Sequence, residues 1–103
     1  VYNEEETLSI IFGGFIMIFE IKRRRKQIEI QFDYWLDEAK TAKRNVTKAA
    51  MLGDLVWSRA AKRNYDIAIE EAGHWAKAME KTGGYGIVLK KNMEKKITKL
   101  NEE

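Results

Sequence analysis

The sequence predicts an all-α chain: a single N-terminal transmembrane helix followed by a small helical hairpin or bundle. Three observations carry this. No proline occurs in 103 residues, so nothing forbids long uninterrupted helices. Residues 8–21, LSIIFGGFIMIFEI, are apolar apart from Ser9, two glycines and Glu20. From Trp35 onward, small and apolar residues recur at alternating steps of four and three, the period of a helix–helix seam.

The N-terminal segment is expected to be an anchor over residues 1–26. Leu8, Ile11, Phe12, Gly13, Gly14, Phe15, Ile16, Ile18 and Phe19 would face lipid. The run is shorter than the ~20 residues a spanning helix needs. Its flanks favour insertion. Glu4, Glu5 and Glu6 lie on one side, and Lys22, Arg23, Arg24, Arg25 and Lys26 on the other, where they would meet anionic headgroups or another anionic partner. Charge is correspondingly local: residues 1–21 carry −4, the pentad +5 and the remainder +2. The positive-inside rule then puts the N-terminus outside and the C-terminal region in the cytoplasm. Gly13 and Gly14 thin the helix and would let another helix approach closely.

The same residues admit an α+β alternative. Gly13-Gly14 between apolar runs is a hairpin signal, and IEIQFDY at 28–34 alternates with period two. Ile28, Ile30, Phe32 and Tyr34 would then share one face of a three-stranded meander packed on helices. A cleavable signal peptide fits poorly, because the bases follow the apolar part.

Residues 27–103 read as a helical region with helices near 33–62, 65–82 and 87–100. The first seam comprises Trp35, Ala39, Ala42, Val46, Ala49, Gly53, Val56 and Ala60. Its small residues suit a close helix–helix interface. No proline or glycine separates Phe15 from Leu52, so the anchor can run directly into this helix. The seam loses phase at residues 62–64. The loss of phase fits either a tight turn or a stutter in one long helix; Asn64 and Asp66 can cap a new helix there, which favours a turn at 62–66. A second seam follows at Tyr65, Ala68, Ala72, Trp75 and Met79. Thr82-Gly83-Gly84 ends it, and Leu89, Met93, Ile97 and Leu100 mark a last amphipathic helix.

Chemistry is sparse. The chain has no cysteine and one histidine, which excludes disulfides and thiolate sites. GGYG at 83–86 lacks a phosphate-loop pattern. Glu71 and His74 stand at i, i+3, but one such pair is not a metal site. No catalytic residues, metal or cofactor are expected, and no small-molecule substrate is evident. The expected function is that of a small bitopic membrane protein, a structural or accessory subunit assembling with itself or a larger complex. Its partners would be the bilayer and another protein. The alternative is a soluble helical interaction or nucleic-acid-binding module with an N-terminal β-hairpin, in which the basic clusters would meet phosphates.

Overall fold

A computed structural model describes the backbone of residues 4–103 and the side chains from residue 18 onward. It contains three helices: α1 (Glu4–Leu52), α2 (Leu55–Glu80) and α3 (Tyr85–Glu102). Among the described residues there are no strands.

Helix α1 is a single element of 49 residues, uninterrupted at residue 26 where the anchor was expected to end. It buries Ile28, Phe32, Leu36, Ala39, Ala42 and Ala49. These positions follow helical spacing and remove the meander alternative. A strand would put Ile28, Ile30, Phe32 and Tyr34 on one side. The helix buries Ile28 and Phe32 and leaves Ile30 and Tyr34 more than half exposed. Gly13 and Gly14 lie within the helical backbone, not in a turn.

The first reversal is made by two residues. Gly53, at φ +71°, occupies the left-handed region past the end of α1. Its N–H donates to the Ala50 carbonyl at 3.2 Å, and the Asp54 N–H donates to the Ala49 carbonyl at 2.9 Å. This Schellman pair satisfies two carbonyls that the helix end leaves open. Asp54 then caps α2, its carboxylate accepting from the Trp57 N–H at 2.9 Å. The turn expected at 62–66 is therefore corrected to 53–54. Helix α2 passes through Lys62, Arg63, Asn64 and Asp66, all on its exposed side, and buries Ala61 and Ala68 around them. Basic residues are good helix formers, so nothing local forces a break there.

Helix α2 returns along α1, burying Ala61, Ala68, Ala72, Ala76 and Met79. Small residues on both helices let the backbones come close. Helix α3 folds back along the same pair and contributes buried Met93 and Leu100. Leu89 and Ile97 support this core from α3, and Trp35, Tyr65, Ile69, Trp75 and Ala78 from the hairpin. The Lys43 ammonium donates to the Leu100 carbonyl, and the Tyr65 hydroxyl donates to the Asn101 side-chain oxygen. Burial, and secondarily the Asp66 charge, raise the Tyr65 pKa above its ordinary value. Lys90 bridges Glu94 at 3.0 Å and Glu80 at 3.4 Å, tying α3 to the end of α2. Hydrogen bonding to Glu94, reinforced by Glu80, raises the Lys90 pKa.

The second reversal places Gly83 and Gly84 at positive φ, 72° and 47°. Gly86 follows, buried in the first turn of α3. A Cβ there would lie 2.5 Å from the Met79 carbonyl oxygen and would also strike the Thr82 hydroxyl. Gly86→Ala therefore destabilises the bundle, by about 1–3 kcal/mol, although alanine is the better helix former. Urea denaturation checks the sign: a gain in midpoint would mean that the two helices meet less closely here.

The transmembrane expectation also needs correction. Among the described residues no helix is long and apolar enough to cross a membrane. Residues 8–21 span ~21 Å as a helix, against a hydrocarbon core of ~30 Å. Glu20 and the basic pentad then close the run. The single-pass location, N-terminus out and C-terminal region cytoplasmic, is withdrawn on this finding.

Candidate helix–helix interface

The structure distributes the residues singled out in the sequence among three places: the α1–α2 seam, the foot of the bundle and the apex of the hairpin.

Five of the eight expected interface residues lie on the bundle side of α1. Ala39, Ala42 and Ala49 are buried, Trp35 packs against the core, and Val46 is half-buried. Their partner is α2 of the same chain. The other three fall outside the seam. Gly53 forms the turn, Val56 is 82% exposed and Ala60 is exposed. The reason is the reversal at 53–54: a heptad phase counted on α1 has no meaning on α2, where Ala61 and not Ala60 faces inward. Sequence reasoning also missed Ile28, Phe32 and Leu36 as interface residues. Their i, i+4 spacing was present but overlapped a period-two pattern.

At the foot of the bundle the basic pentad divides by helical rotation. Arg25 is turned toward the bundle. Its Nε donates to the Thr82 hydroxyl at 3.0 Å, and a terminal nitrogen donates to the Gly83 carbonyl at 2.8 Å. Thr82 passes the chain on by donating to the Met79 carbonyl at 2.7 Å. Arg25 thus ties α1 to the α2–α3 turn and is a structural residue. Lys22, Arg23, Arg24 and Lys26 are exposed on the other faces.

The Arg25 contact also marks where the bundle ends. Helix α1 continues beyond it toward Glu4, about 20 residues or ~30 Å of helix. This arm explains a molecule 78 Å long and only 19 by 13 Å across. The side chains of Leu8, Ile11, Phe12, Phe15 and Ile16, and the surroundings of Gly13 and Gly14, lie outside the described residues. Ile18 and Phe19 are described, and they are 54% and 59% exposed.

At the opposite end the apex carries Met51, Leu52, Leu55 and Val56, each at least 70% exposed. An apolar cluster of this kind is more than scattered surface residues. Between residues 44 and 63, the stretch that forms this end of the hairpin, Arg44, Lys48, Arg59, Lys62 and Arg63 are exposed, and Asp54 is the one acid. Two copies meeting apex to apex would bring like charges together.

Among the described residues no group of three His, Cys, Asp or Glu side chains could hold a metal ion. His74 is exposed on α2. Gly83, Gly84 and Gly86 serve the α2–α3 turn and the close packing behind it. No protein family, curated protein or solved structure matches the chain.

Proposed function

We propose that this chain is a non-enzymatic assembly protein that works through helix–helix packing, with the N-terminal arm of α1 as its contact element. One observation carries the reading. Helix α1 extends past the end of its own bundle, and the sequence of that extension is apolar, Gly or Ser at every position from 8 to 19. A helix apolar all round is stable when it is covered by another element. An isolated helix of this length is marginal in water. The three-helix bundle is then a rigid base that presents the arm.

This reading predicts that the full chain has a mass above 12.0 kDa by light scattering at micromolar concentration. The double variant Ile11→Glu, Ile18→Glu reduces that mass to the single-chain value. Its melting temperature stays near that of the parent, because the described core lies between Ile28 and Leu100. A parent chain that remains at the single-chain mass at every concentration contradicts the reading.

A further inference from the structure

We infer that the arm's partner is the arm of a second copy, packed antiparallel about a two-fold axis between Gly14 and Phe15. This rests on the assembly reading above and adds the partner, the direction and the register.

Charge fixes the direction. The arm begins with Glu4, Glu5 and Glu6 and ends at Lys22–Lys26. Parallel pairing sets acid against acid and base against base. Antiparallel pairing sets the acidic turn of each copy beside the basic turn of the other, at both ends of the contact. The antiparallel direction also opposes the two helix dipoles. Arg23 and Arg24 are exposed and make no described hydrogen bond or ion pair, while Arg25 is held by Thr82 and Gly83. The pentad therefore retains cations for a second molecule after its structural member is used.

The same pairing fixes the register. Matching the turn centred on Glu5 with the turn centred on Arg24 brings the midpoint to Gly14 and Phe15. Leu8, Ile11, Phe15 and Ile18 lie on one heptad-spaced stripe across this centre, and Ile11 falls opposite the Ile18 position of the other copy. A two-fold contact of this kind is self-complementary and closed, so assembly stops at a dimer. The apex, with its collar of bases, offers no such complement to itself.

The test uses the full chain, whose lack of cysteine makes introduced thiols unambiguous. Ile11→Cys and Ile18→Cys are made as two separate proteins and oxidised with copper phenanthroline, alone and after mixing and re-equilibration. The antiparallel register predicts a disulfide-linked dimer from the mixture at least tenfold more abundant than from either protein alone. Strong self-linkage of each variant would show a parallel dimer, overturning this inference and leaving the assembly reading intact. A dimer mass without linkage at either position would place the contact elsewhere and overturn it too. A single-chain mass without linkage overturns both. A single chain that instead floats with phosphatidylglycerol vesicles gives the arm to a lipid surface, which also overturns the dimer.

Discussion

Replacing Phe32 with alanine is expected to remove most of the stability of the bundle. Phe32 and Met79 are the largest fully buried side chains among the described residues. Phe32 lies within a core cluster drawn from all three helices. A phenylalanine lost from such a site costs about 3–5 kcal/mol, combining lost burial with the cavity left behind. A small domain has about 5–15 kcal/mol in total. The cavity cannot close easily, because the cluster it belongs to is rich in alanine, with Ala39, Ala68, Ala72 and Ala76 among its members, and alanine has no reach to fill it. Chemical denaturation should show a midpoint lowered in proportion, with an unchanged slope. A change under 1 kcal/mol would mean that α3 does not complete the core as described.

The second large effect concerns the small residues themselves. Ala72 is fully buried on α2, facing a helix that presents Ala39 and Ala42. Ala72→Leu adds side chain where both helices have been kept thin, at a cost of about 1–3 kcal/mol and a forced separation of α1 from α2. Ala60→Leu is the comparison, because Ala60 is exposed; surface changes of this kind stay within about 0.5 kcal/mol. The pair of variants separates the two possible phases of the seam. The phase counted from Trp35 through Ala60 predicts that Ala60→Leu is the harmful one. The reversal at Gly53-Asp54 predicts the opposite.

That reversal also shows what was legible in the sequence. The continuity of α1 follows from the absence of proline and of any glycine between Phe15 and Leu52. The start and end of α3 lie within two residues of the positions its apolar spacing implies. The turn at 53–54 did announce itself: glycine after a helix and aspartate before the next are the strongest stop and start residues available. The signal is masked because Gly53 also fits a heptad position of a seam made of small residues. Asn64 and Asp66, equally good caps by type, sit inside α2 because nothing around them ends a helix. The Arg25 clamp could not be read, since it joins positions 57 and 58 residues apart through a turn whose location must already be known.

The apolar run at 8–21 was misjudged for a different reason. Hydrophobicity alone does not distinguish a helix that needs lipid from one that needs another helix. Length does, and this run falls short of a bilayer while matching the overhang of α1 beyond its bundle. The acidic and basic flanks, read first as a topology signal, are equally the complementary ends that the proposed self-paired arm requires.

Small-angle X-ray scattering of the full chain, with mass from light scattering on the same sample, tests the assembly account most directly. Two chains joined through antiparallel arms predict twice the 12.0 kDa chain mass. Their maximum dimension is about 110 Å, set by the helical rise from the central glycines to each apex. A particle of single-chain mass, with the 78 Å length of one molecule, contradicts it.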